Sequence, residues 1–465
     1  MPPVKWKYIK DPVHGLVKIS NEDLEIISTP LFQRLRNLHH MGTAFLTYPG
    51  ATHSRFEHSL GVAELGTSVF ENVVCNSSGE DAIIWSNLTE RKKMEKTLRS
   101  ACLLHDIGHT PFSHTCEGFY NNEIEEIKEK ILANLNFVTM DGESNEEVLI
   151  QKGNHEIIGC YIILTEYKRI LDDLDIDAKS VAAMILGRVN RDVGRDLFKP
   201  YRILAQILNS PVDVDKFDYL LRDNYMTGSA LISLDKERLL STYTILGDIL
   251  VLSGKALSVV SNLIIGRQQV YMWVYQHHKV VYTNALLERI LERLIEEGTI
   301  SSDFFSVDNL INKKTDDYDV INEIRKNHDN PKIKNLYESW RERNFLKSPW
   351  KNAYDFHNKI DDEVSRSELL TIAKAKPALL EQQISEKYGI KSDKVLVCSA
   401  KFLPYAEQGL DIKIDIDGAP VSAVATLRMS TEGIKQYTEV PYVYVEEAKI
   451  PEILHYFQSY RRRSH

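Results

Sequence analysis

The densest group of chemically reactive side chains lies between residues 105 and 114. His105 and Asp106 are adjacent at the end of an apolar run, and His109 and His114 follow within eight positions. An imidazole and a carboxylate side by side can bind one hard or borderline divalent cation. Three of the chain's 15 histidines fall in this segment. This density favours a metal site over the alternative, a single buried histidine that caps a helix end.

A second cluster lies upstream, where Arg55 and His58 are three residues apart. Residues at this spacing share one face of a helix, so a guanidinium for phosphate and an imidazole for a metal can lie side by side. The structural alternative is a surface arginine stacked on a histidine. Arg55 and His58 are therefore candidates for phosphate binding and metal binding, respectively.

A third cluster is the charged run Asp213–Asp223, which interrupts an otherwise apolar helical pattern. Asp215, Tyr219 and then Arg222 or Asp223 follow at spacings of three or four, which places them on one helix face. This face can add a carboxylate to the metal site and polar groups to a substrate site. An ion-paired structural helix is the alternative.

A fourth pattern places Arg267, Tyr271 and Tyr275 at successive spacings of four. An arginine followed by two aromatic rings on one helix face suits a triphosphate and a flat base or sugar. A tyrosine stripe alone is more often part of a core. The functional interpretation therefore depends on the other three clusters.

The composition restricts the class of protein. A chain of 465 residues with 43% hydrophobic residues can form one large domain and a smaller one. Its five cysteines form no CxxC pair, which indicates reduced thiols. The net charge of -9 does not indicate a generally basic surface for nucleic acid, so an anionic substrate needs a locally basic pocket. Without a signal-peptide pattern or an apolar run long enough to span a membrane, we expect a cytoplasmic protein.

Helical periodicity predicts the elements that position the clusters. An apolar stripe from Leu24 to Leu38 recurs every three or four residues, and Pro30 separates it into two helices. Further helices are predicted over Lys236–Thr244 and, without interruption, over Leu263–Gly298. The sequence thus predicts a helical catalytic core over residues 1–300.

The remainder of the chain has a different pattern. Residues 301–393 are polar and predict a helical extension, whereas the period changes to two from residue 394. Asp417-Gly418 supplies a hairpin turn between two alternating runs. Val421–Leu427 and Val440–Val445 are predicted as further strands, and Ile450–Tyr460 as a helix. Residues 394–465 are therefore expected to form a small α+β region, on a protein that is mainly α.

In this order, the clusters resemble the deoxynucleoside triphosphate triphosphohydrolase branch of the HD-domain superfamily. The resemblance covers most of residues 8–290 and implies an HD-type helical core. The segments that carry it are Asp11–Gly15, Thr29–Arg36, Tyr48–Gly61, His105–His114, Asp213–Asp223 and Arg267–His277.

The resemblance implies a role for each matching residue. The implied metal ligands are His58, His105, Asp106 and Asp215. The implied proton-transfer residues are His155, at the start of a later helix, and His109, which with His114 also lines the phosphates. The implied contacts to the triphosphate are Arg55, Lys216, Tyr219 and Arg267. The implied contacts to the sugar are Asp223, at its 3′-hydroxyl, Tyr275, His40 and Met41.

His40-Met41 stands where the family often has Gln-Leu. Because this pair helps to recognise the sugar, hydrolysis follows from the resemblance more directly than 2′-deoxy selectivity does. Lys10, Gln33 and Arg36 fall at positions of a regulatory nucleotide site in the family. The resemblance thus also implies a nucleotide effector and a homo-oligomer, a tetramer in the family's pattern.

The residues predict hydrolysis of a (deoxy)nucleoside triphosphate to nucleoside and triphosphate. The implied cofactor is one divalent metal ion per site, with mixed nitrogen and oxygen ligands that accommodate Mn, Fe, Ni, Zn or Mg. A second Mg can enter with the nucleotide. Two alternatives stay open: another HD phosphohydrolase that acts on a cyclic nucleotide, an alarmone or a nucleic-acid end, and a non-catalytic nucleotide sensor.

Overall fold

A computed structural model describes residues 6–138, 144–401, 412–427 and 439–458. Over these ranges the protein is mainly helical, as predicted, with short strands in three small sheets. The strands are β1 (Lys7–Asp11), β2 (Gly15–Ile19), β3 (Tyr243–Leu246), β4 (Ile249–Ser253), β5 (Leu396–Lys401), β6 (Lys413–Ile416), β7 (Ala419–Ser422) and β8 (Glu439–Tyr444).

Helices occur in each of the four described ranges. They are α1 (Asn21–Ile27), α2 (Pro30–Arg34), α3 (Arg55–Asn76), α4 (Glu80–Ile83), α5 (Leu88–Leu104), α6 (Asn121–Leu132), α7 (Asn145–Ile150), α8 (Asn154–Thr165), α9 (Lys168–Asp173), α10 (Ala178–Ile185), α11 (Phe198–Leu208), α12 (Val214–Thr227), α13 (Lys236–Leu240), α14 (Leu257–Val270), α15 (His278–Glu296), α16 (Val307–Asn312), α17 (Asp317–Lys326), α18 (Lys334–Glu342), α19 (Ala353–Lys359), α20 (Glu363–Ala375), α21 (Pro377–Tyr388), α22 (Ala423–Thr426) and α23 (Ile450–Gln458).

Helices α3, α5 and α12 pack together and carry the three charged clusters. Helix α3 begins at Arg55 because the Glu57 carboxylate accepts a hydrogen bond from the Ser54 backbone N–H at 2.9 Å. Gly61 lets α12 approach closely, since a Cβ there would lie 1.9 Å from an oxygen of Asp218. This close packing brings His58 of α3 against the acidic face of α12.

The break at Pro30 is confirmed, because α1 ends at Ile27 and α2 begins at Pro30. The prediction of one uninterrupted helix over Leu263–Gly298 is wrong. Helix α14 ends at Val270 and passes through a π-helical turn, Tyr271–Tyr275, before α15 begins. The His277 imidazole caps α15 by accepting from the Lys279 backbone N–H, and periodicity does not reveal this local bond.

The hairpin at Asp417-Gly418 is confirmed, with both residues at positive φ between antiparallel strands β6 and β7. Two other predictions need correction. The Lys236–Thr244 helix ends at Leu240 and Thr244 lies in β3, whereas Ala423–Thr426 is a helix and not a strand. In both cases tertiary pairing and local capping outweigh the weak periodicity of a short segment. The last two residues of the predicted Ile450–Tyr460 helix lie outside the described residues.

The C-terminal strands do not form a separate layer. Strand β6 pairs in parallel with β4, with Leu252 opposite Ile414, which gives a four-stranded sheet in the order β3-β4-β6-β7. Strand β5 pairs with β8 in another sheet and packs against α15. The domain boundaries at residues 300 and 394 stay predictions. Among the described residues, no helix combines the length and apolarity that crossing a bilayer requires.

Candidate active site

The four predicted metal ligands converge although they come from three separate helical segments. His58 Nε2 lies 3.0 Å from an oxygen of Asp215 and 3.2 Å from His105 Nε2. Asp106 completes the group, with its oxygens 3.6 Å from His58 Nε2 and 3.4 Å from His105 Nε2. Two imidazole nitrogens and two carboxylates therefore face one small volume.

This donor set fits a divalent cation. Donors about 2.1 Å from a shared ion lie about 3.0 Å apart when they coordinate at right angles. The nitrogens of His58 and His105 lie 3.0–3.6 Å from each other and from an oxygen of Asp215, and the two Asp106 oxygens approach them at 3.6 and 3.4 Å, respectively. Two imidazole nitrogens 3.2 Å apart hold lone pairs against each other unless a proton or a cation lies between them. The geometry thus agrees with the metal site that the sequence predicts.

The carboxylates on either side strongly affect His58. Burial alone would lower its pKa, but hydrogen bonds to Asp215 and Asp218 outweigh burial and raise the pKa to about 10. A raised pKa here reports a concentration of negative charge around the imidazole. The same field favours a cation in this position.

A buried network behind His58 fixes the orientation of its ring, and the sequence did not reveal it. Asp218 accepts a hydrogen bond from His58 Nδ1 at 2.8 Å, and His14 Nε2 lies 2.5 Å from the other Asp218 oxygen. Arg222 donates to both oxygens of Asp218 and also binds Asp11 at 2.8 Å. Arg222 is therefore a structural residue. The sequence left open whether Arg222 or Asp223 continues the helix face of Asp215 and Tyr219, and of the two only Asp223 lines the cavity.

This network leads to a prediction about metal affinity. Replacing Asp218 with Asn or His14 with Ala should weaken metal binding about 10- to 100-fold, because the hydrogen bond to Nδ1 sets the ring orientation and basicity of His58. Metal content after dialysis against graded chelator measures the change. Glu71→Gln, at an exposed position of α3, serves as the control. Unchanged retention in a folded Asp218→Asn variant would contradict the positioning role.

Arg55 lies beside the metal cluster. It donates to Asp106 at 2.6 Å and to the Ser113 hydroxyl at 2.8 Å, and it lines the main cavity. Burial would raise the pKa of Asp106, but the Arg55 guanidinium outweighs it and holds that pKa well below its usual range. Asp106 therefore stays ionised, as a metal ligand must.

His155 lies next to His109, as both proton-transfer assignments require. The two rings stack with centroids 4.0 Å apart, and His114 contacts both rings edge-on. Gly108 permits this arrangement, since a Cβ there would lie 2.2 Å from the His155 carbonyl oxygen. The first turn of α8 can thus pack directly against the turn that follows α5.

Glu117, which the sequence did not single out, forms a hydrogen bond with His155 that favours the protonated imidazole. His155 Nδ1 lies 2.5 Å from a Glu117 oxygen. Burial lowers the pKa of His155, but the bond to Glu117 outweighs it and raises the pKa overall. Burial and the Arg55 charge hold the pKa of His109 well below its usual range. The stacked pair therefore combines a His155 whose pKa is raised with a His109 whose pKa is lowered.

A cavity of about 570 Å³ opens from the metal cluster. Its predicted residues are His40, Met41, Arg55, Asp106, His109, His114, His155, Asp215, Tyr219, Asp223 and Tyr275. The Tyr275 hydroxyl donates to Asp223 at 2.5 Å, and His53, a further residue that the sequence did not single out, contacts the same carboxylate at 2.7 Å. Burial and the charges of His58 and Arg55 hold the pKa of His40 well below its usual range.

Lys216 and Arg267 do not line this cavity. Both border a small adjacent recess, where Lys216 Nζ pairs with Asp213 and Arg267 lies over the Tyr271 ring. Because Tyr271 and Tyr219 do line the main cavity, the two cations lie one side chain away from it. Their contacts to a triphosphate stay predictions.

The predicted effector residues lie elsewhere on the surface. Arg36 donates to the Gln33 side chain at 2.8 Å, and its guanidinium covers the Phe56 ring 3.5 Å from the centroid. Lys10 is exposed on β1. The side chains of Gln33 and Arg36 thus lie next to each other at the surface. The binding of an effector there stays a prediction.

The amino-acid sequence is similar to those of several curated proteins. Over 305 residues it is 30% identical to the deoxynucleoside triphosphate triphosphohydrolase SAMHD1 homolog of Dictyostelium discoideum, covering 64% of this chain and 50% of the relative. It is 29% identical to the uncharacterized protein YwfO of Bacillus subtilis, covering 63% and 58%, respectively. The chain spans between half and three fifths of the length of the first curated relatives it matches.

The fold is also found among solved structures. A phosphohydrolase from Bacteroides thetaiotaomicron superposes with a TM-score of 0.65 at 23% identity, over 95% of this chain and 100% of that one. The family model of the HD domain matches residues 55–223, and that of the HD associated region matches residues 234–438. The first match contains His58, His105, Asp106 and Asp215. The chain therefore belongs to the HD-domain superfamily.

Proposed function

We propose that this protein is a metal-dependent hydrolase that converts (deoxy)nucleoside triphosphates to nucleoside and triphosphate. The observation that carries the proposal is the content of one cavity: the Asp106 and Asp215 carboxylates of the metal cluster, the Glu117-bound His155 and the Tyr275–Asp223 pair all line it. The 30% identity to the Dictyostelium triphosphohydrolase supports the same substrate class.

In this reaction water attacks the α-phosphorus and the bond from that phosphorus to the sugar 5′-oxygen breaks. The bound metal would be held by His58, His105, Asp106 and Asp215, and it would supply charge stabilisation to the phosphate. Arg55 adds a second positive charge beside Asp106. The electron pair of the broken bond stays on the 5′-oxygen, which needs a proton to leave as an alcohol.

His155 is placed to supply that proton. Its Nδ1 is committed to Glu117, and its Nε2 makes no hydrogen bond to any residue within the described ranges. An imidazolium with one free N–H that lines the cavity is suited to general acid catalysis. His109, neutral and stacked on His155, can accept a proton from the attacking water.

The sugar would lie against the hydrogen-bonded pair of Tyr275 and Asp223. The Asp223 carboxylate already accepts from Tyr275 and contacts His53, so its position is fixed before the substrate arrives. A carboxylate held in this way accepts a hydrogen bond from a 3′-hydroxyl. His40, 3.8 Å from Asp223, and Met41 border the same part of the cavity.

The division of the substrate between two sets of residues leads to a prediction. Lys216→Ala and Arg267→Ala should each lower catalytic efficiency about 10- to 100-fold for every nucleoside triphosphate, because each removes one charge-assisted phosphate contact. Substitutions at His40, Met41 or Tyr275 should instead change the ratio of deoxy to ribo substrates. Steady-state kinetics with paired dNTP and NTP substrates measures both effects.

Lys179→Ala is a matched control, since Lys179 forms a comparable ion pair with Asp192 on the surface at 3.0 Å. Melting temperatures distinguish a loss of packing at the buried Arg267 from a loss of phosphate binding. A change in base preference without a loss of efficiency in Arg267→Ala would contradict this division.

Incubating the protein with each dNTP and NTP plus Mn²⁺ or Mg²⁺, with identification of the products, tests the proposed function. Nucleoside and intact triphosphate are expected. Pyrophosphate with a monophosphate would favour another HD phosphohydrolase activity, and an absence of turnover would favour a sensor. The nucleotide effector and the homotetramer stay proposals from the family resemblance. The identity of the metal, the second Mg and the cytoplasmic location also stay proposals.

A further inference from the structure

The wall of the cavity that α15 forms carries two polar side chains that the reaction does not use. Asn284 and Glu288 lie one helical turn apart on α15, and both line the cavity that holds the metal cluster. Residues at this spacing have Cβ atoms about 5–6 Å apart. Their immediate neighbours along the same wall, Val281 and Ala285, are apolar.

The orientation of the Asn284 amide is fixed by its neighbours. Its Oδ1 accepts from the Thr43 backbone N–H at 3.2 Å and from the Thr43 hydroxyl at 2.5 Å. A backbone N–H can only donate, so this end of the amide is the oxygen. The NH₂ group bonds to none of the residues that the structure describes. Asn284 therefore presents donors to the cavity.

Glu288 presents a carboxyl group without a partner of its own. Its sequence neighbour Arg289 is committed to Glu381, with two hydrogen bonds of 2.9 and 3.0 Å. Burial, with the charge of Glu292 added, raises the pKa of Glu288 to about 7. Within the described ranges no side chain donates a hydrogen bond to this carboxyl group. A ligand with two adjacent donors would satisfy both of its oxygens.

We propose that Asn284 and Glu288 read the base of the substrate and select guanine. The Glu288 carboxylate would accept from guanine N1–H and the 2-amino group, and the Asn284 NH₂ group would donate to O6. Among the common bases only guanine presents two adjacent donors beside an acceptor on this edge. Adenine presents one donor beside a ring acceptor, and thymine presents one donor between two acceptors.

The inference rests on the proposed function, because it requires the triphosphate to lie at the metal cluster and the base to lie at the wall that α15 forms. Cys398 and Ser399 of β5 border the same wall, so the region after the HD domain closes the base end. Base preference would thus be set by α15 and β5, outside the part of the chain that carries the metal ligands.

Deoxyinosine triphosphate is the sharpest probe, since it keeps N1–H and O6 but lacks the 2-amino group of dGTP. The wild-type protein should use dGTP at least tenfold more efficiently than dITP, and dGTP in preference to dATP. In Glu288→Gln the ratio of dGTP to dITP should fall to near one, because an amide presents only one acceptor. Asn284→Asp should lower the efficiency of both dGTP and dITP relative to dATP, because a carboxylate repels O6.

Glu296→Gln is the matched control, because Glu296 is exposed two turns further along α15, and its ratios should equal those of the wild type. Circular dichroism checks the folding of each variant. If Glu288→Gln does not fold, the wild-type ratios and Asn284→Asp still decide the question. Equal efficiency with dGTP, dITP and dATP in the wild type would overturn base reading and leave the proposed function intact. No turnover of any triphosphate would overturn both.

Discussion

Replacing Asp215 with Ala is expected to abolish metal retention and turnover together. Asp215 and His58 supply the shortest contact of the metal cluster, at 3.0 Å, and loss of one carboxylate ligand leaves the cation with two imidazoles and Asp106. Asp106→Ala should have the same effect. Elemental analysis after dialysis and a turnover assay on the same sample measure both losses.

Asp215 gives the cleaner experiment of the two. Its side chain is 34% exposed, whereas Asp106 is buried and also neutralises Arg55. Removal of Asp106 therefore destabilises the fold through an unpaired buried charge as well as through the metal site. Asp192→Ala, at a surface ion pair, is the control. Full activity in a metal-depleted Asp106→Ala variant would refute the assignment of the metal site.

His155→Ala should lower kcat about 10²- to 10⁴-fold, because the 5′-oxygen then leaves without a positioned proton donor. The expected pH dependence follows from the raised pKa of His155. The acid form persists as long as the pH stays below this pKa, so kcat falls on the alkaline side. Glu117→Gln removes the carboxylate that raises the pKa, and the alkaline limb should move to lower pH.

The exposed pair of His328 and Asp329, 3.2 Å apart, offers a control of the same chemistry away from the cavity. His328→Ala should change neither kcat nor its pH profile. A Glu117→Gln variant that loses activity but keeps the wild-type alkaline limb would show that Glu117 acts on something other than the proton of His155.

The sequence predicted the residues of the site better than the contacts that hold them. His58, His105, Asp106 and Asp215 were recognisable because their types and spacings are unusual. The structure groups His58, His105 and Asp215, and it places Asp106 against His58 and His105 through two different oxygens. Glu117 and Asp218 were not singled out for a role, although both lie within or beside the clusters. A carboxylate that orients a histidine is recognisable only when the third dimension places it at the correct nitrogen.

The fold shows the same difference. Strong local signals, such as Pro30 between two helices and the Asp417-Gly418 turn, were sufficient to predict the local structure. The π-helical turn at Tyr271–Tyr275 and the parallel pairing of β4 with β6 were not predicted. The strand pairing depends on contacts between segments far apart in the chain, whereas the π-helical turn precedes a local side-chain cap on α15, and periodicity reveals neither contact.

Hydrolysis in water enriched in ¹⁸O tests the proposed reaction most directly. Attack on the α-phosphorus with loss of the 5′-oxygen places the label in the released triphosphate, at the phosphate that was α, and leaves the nucleoside unlabelled. ³¹P NMR and mass spectrometry of the two products measure this. The proposal predicts labelled triphosphate and unlabelled nucleoside, whereas label in a nucleoside monophosphate or in inorganic phosphate would contradict it.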